Sequence, residues 1–199
     1  MILWTVLDMP RMPANWVQVA RGLGSTHLID RYVLRAKGAS SGEQWELART
    51  LVAAVGPERV LVADRADVAR SVGALGVHLP ADGLRSETVR TWWPEALVSR
   101  AIHTADELAR DAPDLWLFGH LWPTRSKPGL APRGLDAARA IIRRAERPVL
   151  GIGGVTAANA PLAREAGLAG VAVVDAIWQA ADAVGAARAI REALGDAAG

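Results

Sequence analysis

The chain has 199 residues, 51% hydrophobic and 22% charged, with 23 basic against 21 acidic side chains, 19 Gly, 11 Pro and no Cys. That size suits one compact domain spanning 1–199, and the balance excludes a disordered chain, a collagen-like repeat and a disulfide scaffold. The missing thiols exclude cysteine catalysis and Cys-ligated zinc.

Eight short β-type runs fall at 2–7, 31–35, 59–62, 76–79, 97–101, 115–118, 148–152 and 170–174. Amphipathic helical patterns lie between them at 15–23, 43–54, 66–72, 86–93, 105–110, 135–145, 158–166 and 181–194. Two helix starts carry the pattern in which side chains satisfy orphan backbone N–H groups, Ser41-x-x-Gln44 and Thr104-x-x-Glu107. Strands alternating with helices predict an all-parallel sheet, either an open doubly wound sheet or a closed barrel, and the count of eight favours closure into a (β/α)8 TIM barrel. The one long connection, 119–134, is rich in Gly, Pro and charge and is the expected lid. No apolar run reaches the roughly 18 residues of a membrane span, and the opening MILWTVLDMP has no basic region ahead of its apolar stretch. No basic block or Arg–aromatic interleaving marks a nucleic-acid surface. A cytoplasmic protein with neither membrane nor nucleic-acid partner is expected.

Only Lys37 and Lys127 among the basic residues are lysines. A chain this biased toward Arg retains a lysine where a compact, rotatable ammonium is needed, or as a leftover on the surface. Barrel chemistry sits at the C-terminal ends of strands. That rule selects Arg35 and Lys37 after strand two, Asp64 after three, His78 at four and His103 after five. It adds His120, Thr124, Ser126 and Lys127 after strand six, Gly153 and Gly154 after seven, and Val173, Val174 and Asp175 at eight. Glycines leaving a strand let backbone N–H groups approach an anion, so Gly153 and Gly154 form the expected phosphate site; a tight turn without a ligand is the alternative. A carboxylate at Asp175 opposes a phosphate there unless it points away or pairs with an arginine. His78 reads as strand-end packing, and Asp64 as a start for the helix at Ala66.

The motifs Leu34-Arg35-Ala36-Lys37, Ala63-Asp64-Arg65-Ala66-Asp67, Gly76-Val77-His78-Leu79, Pro123-Thr124-Arg125-Ser126-Lys127, Gly151-Ile152-Gly153-Gly154-Val155-Thr156 and Gly170-Val171-Ala172-Val173-Val174 resemble, in this order, the thiamin phosphate synthase superfamily. The resemblance runs from about Tyr32 to Leu194 and implies a (β/α)8 barrel that binds a thiazole phosphate. Synthases of this superfamily couple a pyrimidine pyrophosphate to the thiazole phosphate using Mg²⁺ held by two aspartates. Asp64 matches the first; the second position is Gly83, with Asp82 one residue early, and Ala63 and Ala101 replace an Asn and a Ser. Phe118-Gly119-His120 is similar instead to the thiazole tautomerase (TenI-like) branch. The resemblance therefore implies a metal-independent isomerase without cofactor that aromatises a thiazole carboxylate phosphate tautomer, with His120 moving the proton. Arg35 and Lys37 would neutralise the substrate carboxylate, and Lys127 would stabilise developing charge. Asp64, Thr124 and Ser126 would join Gly153, Gly154, Val173 and Val174 in binding substrate. A homodimer is compatible with the family. Two alternatives stay open: a Mg-dependent thiamin phosphate synthase, and a catalytically degenerate paralogue that binds a phosphate ligand.

Overall fold

The computed structural model describes residues 1–195, and 196–199 of the expected domain lie outside the described residues. Eight parallel strands close in sequence order: β1 (Ile2–Asp8), β2 (Arg31–Arg35), β3 (Val60–Ala63), β4 (Gly76–Leu79), β5 (Leu97–Ile102), β6 (Leu115–Gly119), β7 (Val149–Ile152) and β8 (Gly170–Val173). β8 pairs back onto β1, with Leu3 opposite Val171 and Thr5 opposite Val173. The fold is the expected (β/α)8 barrel.

Alternation along each strand sorts the side chains into two cores. On β1, Trp4 and Val6 point into the barrel with Val33, Leu61, Leu117 and Leu150. Leu3 and Leu7 point outward, against the helical layer. The interior is therefore packed, and its upper level of Val6, Val33, Leu117 and Ala172 forms the floor of a cavity at the C-terminal mouth.

The outer layer comprises α1 (Trp16–Gly24), α2 (Ser41–Val55), α3 (Ala66–Ser71), α4 (Ser86–Arg90), a 3-10 segment (Ala105–Arg110), α5 (Gly134–Ile142), α6 (Ala160–Glu165), α7 (Asp175–Trp178) and α8 (Ala183–Ala193). Both expected capping boxes are corrected. The first sits one residue earlier: the Ser40 hydroxyl accepts from the Glu43 N–H, and the Glu43 carboxylate accepts from the Ser40 N–H at 2.7 Å. At the second, Thr104 makes no side-chain cap, and Glu107 takes the His103 N–H at 2.8 Å. Helix α4 stops at Arg90, short of the expected Trp93, because Pro94 disfavours helical backbone in the residue before it.

Sequence patterning did not anticipate α7. Its Trp178 is buried and donates its indole N–H to Thr5 Oγ1 at 2.8 Å. That hydroxyl donates in turn to the Val173 carbonyl at 3.0 Å. At the opposite end, Arg191 on α8 binds the carbonyls of Met1 and Leu28 and the Asp30 carboxylate, which itself accepts the Leu3 N–H. The Arg191 contacts fasten α8 to the start of β1 and to the residues before β2 at the N-terminal end, and the cavity lies at the C-terminal mouth.

Candidate active site

The mouth holds a cavity of about 1190 Å³ lined by residues from all eight strand ends. Arg35, Lys37, Asp64, Thr124, Ser126, Lys127, Gly153, Gly154, Val174 and His120 all line it. Val173 does not. It is buried on the helix-facing side of β8, and its carbonyl is taken by Thr5, so the expected phosphate contact moves off this residue.

Among the described residues four carboxylates line the cavity, and they fall into two pairs of opposite character. Asp8 and Asp175 are neutralised. Asp8 accepts from Arg35 at 2.6 Å and lies 3.8 Å from Arg11. Asp175 receives one Arg11 amino group on both of its oxygens. The same guanidinium donates through its other amino group to Ser126 Oγ. The open question of Asp175 is thereby answered: it pairs with an arginine. The rim along β8, β1 and β2 carries an alternating chain, Asp175–Arg11–Asp8–Arg35, with no net charge. Arg35, expected to neutralise a substrate carboxylate, is already matched by Asp8. Asp8 and Arg11 were missed, although Asp8 ends β1 and satisfies the same strand-end rule that selected Arg35.

Asp64 and Asp82 are different. Neither carboxylate makes a hydrogen bond or ion pair among the described residues. Asp64 does not cap α3, whose N-cap residue is Arg65. It sits just beyond β3 with φ +65°, its N–H held by the His78 carbonyl at 2.8 Å. Left-handed backbone costs a non-glycine residue about 1 kcal/mol, and such strain concentrates at functional positions. Asp82 lies on the β4–α4 loop, which is clamped from behind. Arg100, buried on β5, donates to the carbonyls of Ala81, Gly83 and Leu84 and to Asp111. Lys37, Arg125 and Lys127 line the same cavity and carry no ion pair among the described residues.

Three histidines border the cavity. His78 Nδ1 is hydrogen-bonded to Ser99 Oγ at 2.9 Å. Burial pushes its pKa down to about 4, helped by the Arg35 and Arg100 charges, so the ring is neutral at pH 7. His103 is also shifted down, first by burial, with Arg133 and Lys127 acting in the same direction while Glu107 and Asp82 oppose them. His120 is buried, and its Nε2 approaches the Leu130 carbonyl at 3.3 Å. Its own carbonyl accepts the Arg133 N–H at 2.9 Å. The residue therefore ties both ends of the 120–133 segment to one point, while Nδ1 is buried without a partner.

That segment is the expected lid, and it is anchored along much of its length. Leu121 and Trp122 continue the pairing with the end of β7 through the carbonyls of Ile152 and Gly153. Packing alone accounts for the double glycine. A Cβ at Gly153 would lie 2.4 Å from that of His120, and one at Gly154 would lie 2.5 Å from the Pro123 carbonyl oxygen. Both also have positive φ, +99° and +67°.

Fold and rim together define a (β/α)8 barrel with a cavity at its C-terminal mouth that combines unpaired carboxylates and unpaired cations. The sequence profile described as thiamine monophosphate synthase matches residues 12–177, and the chain belongs to that family. It is 37% identical over 191 residues to the thiamine-phosphate synthase of Salinispora tropica, covering 92% of this chain and 91% of that protein. It is 38% identical over 176 residues to the thiamine-phosphate synthase of Natronomonas pharaonis, covering 83% and 82%. Thiamine phosphate pyrophosphorylase from Pyrococcus furiosus superposes with a TM-score of 0.83 at 25% identity, over 98% of this chain and 95% of that one. A 3-hexulose-6-phosphate synthase superposes at 0.71 and 19% identity, which speaks to the fold alone.

These relatives overturn the isomerase reading. Proteins at 37–38% identity carry the synthase name rather than the tautomerase name, so the resemblance holds at the level of the superfamily and not of the TenI-like branch. The residue that selected that branch, His120, has its Nε2 directed to a backbone carbonyl.

Proposed function

We propose that this chain, acting as one barrel domain, is a magnesium-dependent thiamine-phosphate synthase. It joins a pyrimidine pyrophosphate to a thiazole phosphate and releases pyrophosphate. The observation that carries this reading is the pair of unengaged carboxylates, Asp64 and Asp82, on one cavity wall. Mg²⁺ is ordinarily held by one or two carboxylates together with substrate phosphates and waters, not by a full protein cage. Two aspartates in a cavity that Lys37, Arg125 and Lys127 also line fit that donor set, although the described residues contain no cluster of three or more His, Cys, Asp and Glu side chains. Asp82 takes the place that Gly83 leaves without a carboxylate.

When bound, magnesium supplies charge neutralisation for the departing pyrophosphate. The chain supplies the rest. Lys37 and Lys127 present ammonium groups to the pyrophosphate, where charge develops as its bond to the pyrimidine breaks and a bond to the thiazole phosphate forms. Thr124 and Ser126, with the backbone of Gly153, Gly154 and Val174, surround the phosphate of the thiazole partner. The cavity, about 1190 Å³, is large enough for two ring substrates together.

The test is direct. Purified protein given pyrimidine pyrophosphate, thiazole phosphate and Mg²⁺ forms the coupled product with one pyrophosphate per turnover, and a chelator stops it. Absence of product under these conditions overturns the reading.

A further inference from the structure

The rim chain of charges contains a carboxylate that is a liability for anion binding. Asp175 lines the same wall as Gly154 and Val174, where the proposed reading places a phosphate. An unpaired carboxylate about 4 Å from a phosphate charge opposes binding, more strongly where the wall excludes water. Arg11 removes that opposition. One of its amino groups lies on both Asp175 oxygens, and the other donates to Ser126 on the segment after β6. Its backbone is held as well, because the Arg11 carbonyl accepts from Gln179 Nε2 at 2.8 Å. Gln179 follows α7, so side chain and main chain together fasten the loop after β1 to the loop after β8.

We propose that Arg11 is a positioning residue for the phosphate-bearing substrate. It cancels the Asp175 charge and fixes Ser126 at the phosphate corner, so the pair Arg11–Asp175 functions as one neutral unit. The identity of the phosphate ligand rests on the synthase reading above, but the electrostatic role does not. Arg11 could alternatively serve as a mere staple between loops, and the two roles separate in a double variant. If charge cancellation matters, removing the carboxylate restores what removing the arginine destroys. If stapling matters, it does not.

Calorimetric titration at low ionic strength measures binding of thiazole phosphate and of inorganic phosphate to the parent, R11M, D175N and R11M/D175N. R11M weakens both about ten-fold, the size of one unit-charge repulsion at a partly screened site. R11M/D175N recovers to within about three-fold of the parent, and 0.5 M salt shrinks the R11M defect. R11K, which keeps the charge but loses the two-oxygen contact, falls between parent and R11M and serves if R11M does not fold. The proposal is overturned if R11M binds like the parent, if the double variant stays as weak as R11M, or if the parent binds neither probe. A parent that fails to couple its two substrates yet shows Arg11-dependent phosphate affinity sinks the synthase reading alone. A parent that couples them while R11M/D175N shows no recovery sinks this inference alone.

Discussion

His78→Gln removes an imidazole that folding holds neutral, and its consequence can be worked out from the site. In the unfolded chain a histidine titrates near 6.5, whereas enclosure at the cavity floor pushes His78 down to about 4. Between these values the unfolded chain binds more protons than the folded one, so stability rises with pH across that window. The contribution is fully present above the unfolded value and is lost as pH falls toward 4. Integrating the linkage from pH 7 to pH 5 gives a loss of about 2 kcal/mol from this group. Urea unfolding of parent and variant at both pH values isolates it, because every other titrating group is common to the two proteins. The parent should lose about 2 kcal/mol more than H78Q on acidification. Equal losses would show that the ring is not held neutral and would refute the argument.

Three further outcomes follow from the same contacts. Asp64→Asn and Asp82→Asn should each lower coupling at least about a hundred-fold with the circular dichroism spectrum unchanged, and parental rates would remove that aspartate from the site. His120→Ala frees the Leu130 carbonyl and loosens the 120–133 segment, so trypsin should cut after Arg125 faster than in the parent; an unchanged cleavage rate contradicts the tie. Arg100→Met leaves the Asp111 carboxylate, with 4% of its side chain exposed, without its cationic partner and held by Ser86, and strips three loop carbonyls of their donor. Thermal or urea unfolding should register a loss of about 3–5 kcal/mol, and a loss under 1 kcal/mol would contradict this account.

Much of the molecule could be read along the chain because its physics is local. β1 and the Arg31–Arg35 strand are short continuous apolar runs bounded by polar residues, as strands covered on both faces require, and eight such runs interleaved with helices leave few topologies open. The strand-end rule then placed Arg35, Lys37, Asp64 and the residues after β6 on one rim. Other features were not legible. Helix α7 is four residues long and is held by the contact of Trp178 with Thr5, 173 residues away in sequence, so no local periodicity announces it. Val173 looked like a cavity residue because it ends β8, but strand alternation turns it to the helical layer and presents Val174 instead. The glycines at 153 and 154 suggested an anion, and the close passage of His120 and Pro123 adds a steric demand for them that the sequence does not show.

His120 is the instructive case. A histidine at the mouth of a barrel strand suggests proton transfer, and nothing in its neighbours along the chain says otherwise. Its Nε2 partner, the Leu130 carbonyl, is ten residues away around a closed segment, and the isomerase reading fell to the synthase relatives. Likewise the fate of Asp175 turned on Arg11, 164 residues distant. Sequence alone determined the alternation of eight strands with helices, the parallel sheet and which residues end each strand, because burial pattern and chain connectivity are properties of short segments; closure of β8 onto β1 is seen in the structure. Only the tertiary structure decided which charges on that rim are cancelled and which stay free. Pairing depends on distances between side chains carried by separate strands, and those distances exist only once the barrel has closed.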